Sequence, residues 1–202
     1  MSSSTVLAII GTYRKNGVID RITDAVLASA QNAGAKTEKI YLIDKDIKYC
    51  TNCRACTQKE GTPRSKCVIR DDMDEIMDKI DKADALVIAS PMNCSTVTAV
   101  MKTFTERIVC YTYWPWGAKA PKYRITNPDK KAVLIASSAM PAIIARIFTK
   151  MVNLLKETAI VLGAKEAKLI FAGLSAIDNK QEIKDKVLQK ADKMGKYLAQ
   201  PL

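Results

Sequence analysis

Unbroken apolar runs, TVLAII at 5–10 and ALVIA at 85–89, constrain this 202-residue chain more than any other feature. Such a run, short and ended by Gly11 in the first case, marks a strand covered on both faces, as in a parallel sheet. Between the runs the apolar spacing turns helical. From Gly17 to Ala33 one stripe carries Ile22, Ala25, Val26, Ser29 and Ala30, and Gly34 stands at the C-cap position. In MDEIMDKIDKAD, behind a cap at Asp71 or Asp72, Met73, Ile76, Met77 and Ile80 fall three and four apart. Lys36–Leu42, Lys131–Ala136 and Ala167–Ala172 read as further strands, and Ala99–Cys110, Pro141–Leu162 and Lys180–Ala199 as further helices. Five strands alternating with five helices predict an α/β doubly wound parallel sheet in three layers. The expected organisation is a single domain over 1–202 with a Cys-bearing loop at 44–70 and no repeat, low-complexity segment or linker.

The chain has no histidine, which removes Ser-His-Asp and Cys-His nucleophiles, His-ligated zinc and the imidazole pH switch. Its chemistry must come from thiols, carboxylates, amines or a bound cofactor. The N-terminal residues carry no positive charge and the apolar run from Val6 stops at Gly11, too short for a signal-peptide core. Pro141, Arg146, Lys150 and Lys156 interrupt the longest apolar stretch, so no membrane span is expected and the protein reads as cytoplasmic. Four of its six cysteines lie between Cys50 and Cys67, a clustering that in a reducing compartment favours metal, cluster or redox use over disulfides.

The net charge of +11 is uneven: residues 1–100 hold 14 basic and 13 acidic side chains, residues 101–202 hold 18 and 8. A basic half can serve nucleic acid, a membrane surface or an anionic small molecule. The plainer reading is solvated helix faces, since Lys180, Lys184, Lys186, Lys190, Lys193 and Lys196 alternate with Glu182, Asp185 and Asp192. A nucleic-acid module is disfavoured because interleaved aromatics, a recognition-helix pattern and a zinc finger are all missing.

In a doubly wound sheet the site lies at the carboxyl ends of the strands. Three loops should meet there: Gly11–Gly17, Ser90–Thr98 and Ser137–Met140. The first, Gly-Thr-Tyr-Arg-Lys-Asn-Gly, suits an anion, with N–H groups at a helix start, the Thr12 hydroxyl and the Arg14 guanidinium as donors. It is neither G-x-G-x-x-G nor a Walker loop, which disfavours dinucleotide and NTPase readings.

Over residues 5–110 the chain resembles the NAD(P)H-dependent FMN reductase family of flavodoxin-like proteins, and within it the iron-sulfur flavoproteins. The resemblance rests on an ordered set: the 11–17 loop, close to Gly-Ser-Pro-Arg-x-x-Gly; Cys50-x-x-Cys53-x-x-Cys56; Cys67-Val-Ile-Arg-Asp71-Asp72-Met73; Ser90-Pro91-Met92; and Met101-Lys102-x-Phe104-x-Glu106-Arg107. It implies a flavodoxin-like fold, with FMN phosphate on Gly11, Thr12, Arg14, Asn16 and Gly17. The isoalloxazine would lie against Pro91, Met92, Asn93 and Cys94, with backbone N–H groups reaching its polar edge and Ser137 and Ser138 closing the other side. No catalytic side chain is implied, because the flavin takes a hydride from NADH or NADPH and passes electrons on. The acceptor is a small molecule such as a flavin or quinone, or a redox protein, and the expected assembly is a homodimer or homotetramer. A flavodoxin-like electron carrier without enzymatic activity is the alternative.

The sequence departs from the family at two places. Val18 and Ile19 replace a polar pair with a hydroxyl, and Asn93-Cys94-Ser95 replaces Tyr-Trp-Gly, removing aromatic surface worth about 0.5–1.5 kcal/mol in ring stacking. Tyr111, Tyr113, Trp114 and Trp116 are candidate replacements, or else an interface or core plug. Cys50, Cys53 and Cys56 are spaced like the start of a bacterial cubane motif, with Cys67 as fourth ligand after a gap of ten residues, longer than in the iron-sulfur flavoproteins. The readings are a [4Fe-4S] cluster, a structural thiol group, or four-cysteine zinc. Cys110 reads as core. Arg14, Arg54, Arg64, Lys119, Lys122 and Arg124 are basic groups that could attract nucleotide phosphates.

Overall fold

The computed structural model describes residues 3–177 and 181–201. Strands β1 (Thr5–Ile10), β2 (Lys36–Tyr41), β3 (Ala85–Pro91), β4 (Lys130–Ser137) and β5 (Ala164–Ala172) form one parallel sheet in the order β2-β1-β3-β4-β5. This is the flavodoxin-type order, with its switch point between β1 and β3. Alternate side chains feed two cores. Val6, Ala8, Ile10, Val87 and Ile135 face α1 (Val18–Asn32) and α6 (Asp185–Ala199). Leu7, Ile9, Leu86, Ile88 and Leu134 face α2 (Met73–Lys82), α3 (Ala99–Arg107) and α5 (Met151–Val161). The unbroken apolar runs are thus covered on both sides, as their composition requires.

Several boundaries differ from the sequence reading for local reasons. The stretch 141–162 is two helices, α4 (Ala142–Phe148) and α5, because Thr149 is extended (φ −126°, ψ 154°) and its hydroxyl donates to the Ala145 carbonyl at 2.7 Å. α3 ends at Arg107 and continues as a 3-10 turn over Ile108–Tyr111. At the start of α2, Asp71 does the capping: its carboxylate accepts the Met73 N–H at 3.1 Å, while Asp72 accepts the Asp46 N–H instead. Lys180 lies outside the described residues, and the last helix begins at Asp185. Thr112–Tyr113 and Lys122–Tyr123 pair in a short antiparallel ladder that the sequence reading did not foresee.

The basic half is partly internal. Lys130 and Lys131, both buried, donate to backbone carbonyls: Lys130 to Asp81 in the last turn of α2 and to Ala83 at its C-cap, Lys131 to Tyr197, Gln200 and Pro201 at the end of α6. Cations there complement the negative helix termini. Lys184, Lys186, Lys190, Lys193 and Lys196 are exposed, as solvated faces should be. No helix among the described residues is long and apolar enough to cross a membrane.

Candidate active site and cysteine loop

At the carboxyl ends of the strands the loops after β1, β3, β4 and β5 surround a cavity of about 380 Å³. Thr12, Arg14, Gly17, Pro91, Met92, Asn93, Ser137 and Ser138 line it. An adjoining cavity of about 780 Å³ shares Arg14, Gly17, Val18, Ser175 and Ala176 and adds Asn16, Lys15 and Arg21. Gly11 and Cys94 line neither.

The first loop is set by α1. Gly17 is its N-cap and provides no side-chain cap, so the N–H groups of the first helical turn face the cavity beside Arg14 without a side-chain partner. Asn16 takes a left-handed conformation (φ 63°), and its N–H is bound by the Asp20 carboxylate at 2.6 Å. Burial pushes the Asp20 carboxyl up, but the Asn16 N–H, the Tyr41 hydroxyl and Lys39 outweigh it and hold Asp20 below the usual carboxylate range. The charge at the helix start is therefore balanced within the protein. Of the family's altered polar pair, Ile19 is in the core, so the change falls chiefly on Val18.

Hydrogen bonds stitch the loops together. The Thr98 hydroxyl donates to the Gly11 carbonyl at 2.5 Å, and the Ala99 N–H donates to the Tyr13 hydroxyl at 3.1 Å. Ser175 reaches the Ser138 carbonyl through its N–H (2.9 Å) and its hydroxyl (3.0 Å). Two expectations change here. The Met92 N–H is taken by the Ser137 carbonyl and the Asn93 N–H by the Thr96 carbonyl, so neither is left for a ring edge. Cys94 and Ser95, both at positive φ (46° and 62°), form the tip of a primed hairpin turn, which points Cys94 to solvent rather than into the cleft.

Ser175 and Tyr13 line the cleft although the sequence reading did not single them out. Ser175 follows the fifth strand, where the strand-end rule would have placed it. Tyr13 stands at the proline position of the family's phosphate loop and supplies an aromatic wall from within that loop. The aromatics at 111–116 lie elsewhere. Tyr111 is buried with its hydroxyl on Asp81, and Trp114 and Trp116 sandwich Arg54, 4.0 and 4.1 Å from the ring centroids.

That sandwich belongs to the cysteine loop. Asn52 and Arg54 are left-handed (φ 54° and 59°), which winds the chain tightly through Cys50, Cys53 and Cys56. Cys56 and Cys67 are buried, Cys50 is half-buried and Cys53 exposed. Burial, with Cys67, Cys50 and Cys53 as charged neighbours, pushes the Cys56 thiol up to about 11. The Ala55 N–H and the Thr51 hydroxyl bring Cys53 down. Among the described residues no three ligating side chains converge on an ion-sized point. Cys67, Cys50 and Cys53 all lie close enough to Cys56 to act on its thiol, and such an all-thiol set has the donor chemistry of an iron-sulfur cluster or of four-cysteine zinc.

Guanidinium groups fix this loop, so Arg54, Arg64 and Arg124, basic groups that could attract a nucleotide phosphate, are engaged within the protein instead. Arg124, 4% exposed, donates to the carbonyls of Cys56, Lys59, Gly61, Cys110 and Thr112. Arg64 bridges Asp78 and Asp81. Arg54 donates to the Trp114 carbonyl at 2.7 Å. Lys119 and Lys122 remain exposed. Cys110 is fully buried against Met77, its thiol pushed up to about 12 by burial.

Residues 4–165 match the family of NADPH-dependent FMN reductases. The chain belongs to that family. Among curated relatives it is similar to an iron-sulfur flavoprotein of Archaeoglobus fulgidus, 39% identical over 109 residues, 54% of this chain and 47% of that protein. An iron-sulfur flavoprotein of Methanosarcina thermophila is 31% identical over 104 residues, 52% of each chain. The chain thus spans about half the length of these relatives. The fold is that of an NAD(P)H:quinone oxidoreductase from Methanothermobacter marburgensis (TM-score 0.71, 18% identity, 98% of this chain and 100% of that one). It is also that of an FMN-dependent NADH-azoreductase from Bacillus anthracis solved with FMN (TM-score 0.69, 16% identity, 97% and 98%). At such identities the likeness concerns the fold alone.

Proposed function

We propose that this member of the FMN reductase family is an FMN-dependent oxidoreductase fed by NADH or NADPH. One observation carries the reading: the uncapped start of α1, with Arg14 beside it, opens into a cavity walled by the β3 and β4 loops at the switch point of the sheet. The flavin supplies acceptance of a hydride and release of electrons singly or as a pair. The chain's part is to hold it. Arg14, the Thr12 hydroxyl and the first N–H groups of α1 neutralise the phosphate, with Gly17 and Asn16 shaping the loop. Pro91, Met92 and Asn93 on one side, Ser137 and Ser138 on the other, and Tyr13 at the mouth enclose the ring and exclude water from it.

Cys50, Cys53, Cys56 and Cys67 would hold a [4Fe-4S] cluster, which supplies one-electron transfer to a redox partner; without it the acceptor is a small flavin or quinone. The relatives' name and the all-thiol loop support the cluster. Exposed Ile143, Ile147 and Phe148 on α4 support assembly as a homodimer or homotetramer. The chain acts in the cytoplasm as one domain.

The test is anaerobic purification with assays of iron, sulfide and FMN, followed by addition of NADH or NADPH. Yellow-brown protein whose flavin is bleached within the mixing time agrees with the proposal and excludes a passive carrier. Colourless protein that takes up no added FMN overturns it.

A further inference from the structure

Arg107 is the largest fully buried side chain, and the flavin cleft does not use it. It reaches both ends of the cysteine loop at once. Nη1 donates to the Lys48 carbonyl at 2.7 Å, two residues before Cys50, and Nη2 lies 3.8 Å from the sulfur of Cys67. Both nitrogens also meet the Asp71 carboxylate, so the ion pair is buried with side-chain exposures of 1% and 0%. Asp71 is shared: it also accepts the Lys48 N–H at 2.9 Å and the Met73 N–H at 3.1 Å. Asp71 therefore faces four N–H donors from three residues, and Nη2 of the guanidinium is shared between its carboxylate and the Cys67 sulfur. Its Nε is buried without a partner.

A buried ion pair of this kind is costly to desolvate and is weak evidence of stability. Its placement suits another task. We propose that Arg107 is a positioning residue for the cysteine loop, clamping its two ends together and setting positive charge beside Cys67 so that the group held by the four thiolates is easier to reduce. The inference rests on the cluster reading above. Reduction adds negative charge, and a nearby cation favours the more negative state. Hydrogen bonds and charge around ligand sulfurs are established levers on a metal centre.

The experiment uses the full chain, reconstituted anaerobically with iron and sulfide, and reads the midpoint potential of the cluster signal in Arg107→Gln, Arg107→Lys and Asp71→Asn. Arg107→Gln removes the charge and is expected to shift the potential negative by a tenfold change in the reduction equilibrium, about 59 mV for one electron. Arg107→Lys restores part of the shift. Asp71→Asn leaves the guanidinium unneutralised and shifts the potential positive. Opposite shifts for Gln and Asn uphold the proposal, because a merely structural pair would lower stability without moving the potential in two directions. Should Arg107→Gln fail to fold, Asp71→Asn decides alone. An unchanged potential in the variants that load overturns the proposal and leaves the cluster reading intact. A wild-type chain that takes up neither iron nor sulfide overturns both.

Discussion

The cleft and the cysteine loop lie on one small protein yet are held in place differently. Around the cleft, short loops leave strands of a buried sheet and are tied by main-chain bonds, such as Met92 N–H to Ser137 and Ser138 N–H to Ala172, both strand-end carbonyls. The cysteine loop has no strand within it, and its fixed points are guanidinium side chains: Arg124 at Cys56, Arg107 at Lys48 and Cys67, and Arg54 between two indoles. A site built on the sheet should bend under single substitutions, whereas a loop hung on buried side chains should fail when one is removed.

The largest effect is therefore expected at Arg124. Arg124→Leu strips five carbonyls of their donor. It should lower stability by about 3–5 kcal/mol, the range for breaking a buried charged network, and open residues 45–70 to protease. Urea unfolding and limited proteolysis would measure it. A loss below about 1 kcal/mol would break the comparison, because the loop would then hold itself.

On the cleft side the strongest perturbation is steric. A Cβ on Gly173 would stand 2.3 Å from the Ala142 nitrogen, where the β5 loop passes under the start of α4. Gly173→Ala should cost about 1–3 kcal/mol through backbone shifts. Because Ser175 is tied to Ser138, the same shift should weaken FMN binding severalfold in a fluorescence titration. Normal affinity together with lowered stability would show that the β5 loop does not help shape the cleft.

Asp20 gives a smaller effect that depends on pH. Asp20→Asn loses charge-assisted bonds to Asn16 and Lys39 and should cost about 1–2 kcal/mol near neutrality. Its carboxyl is held below its ordinary value in the folded protein. The stabilisation is thus fully present above the unfolded pKa, about 3.9, and is lost as pH falls through the lower folded value. The gap in urea midpoint between wild type and variant should be full above about pH 4, narrow as pH falls below it, and close only under the lower folded value. A gap independent of pH would assign the effect to packing.

The same contrast explains what could be read in the sequence. TVLAII and ALVIA declare strands because parallel sheets bury both faces, and the strand-end rule then brings Thr12, Pro91 and Ser137 together without any contact being known. The same rule covers Ser175, which follows the fifth strand. The cysteine loop obeys no such period. That Arg124 holds the loop rather than a phosphate, or that Arg107 ends beside Cys67, depends on chain reversals from 45 to 124 that local pattern does not encode. The break at Thr149 was hidden by a helical apolar pattern that runs on across it.

The smallest expected effect separates the two regions most sharply. Cys94 belongs to the β3 loop by sequence, yet it occupies a left-handed position at the tip of a turn, outside the cleft. Left-handed backbone costs most residues roughly 1–2 kcal/mol, and Asn is among the few that tolerate it. Cys94→Asn should therefore raise stability by up to about 1 kcal/mol and leave the FMN dissociation constant within about twofold. If affinity falls tenfold instead, the turn folds over the bound flavin, and the cleft is completed by a movement of the β3 loop rather than by the sheet alone.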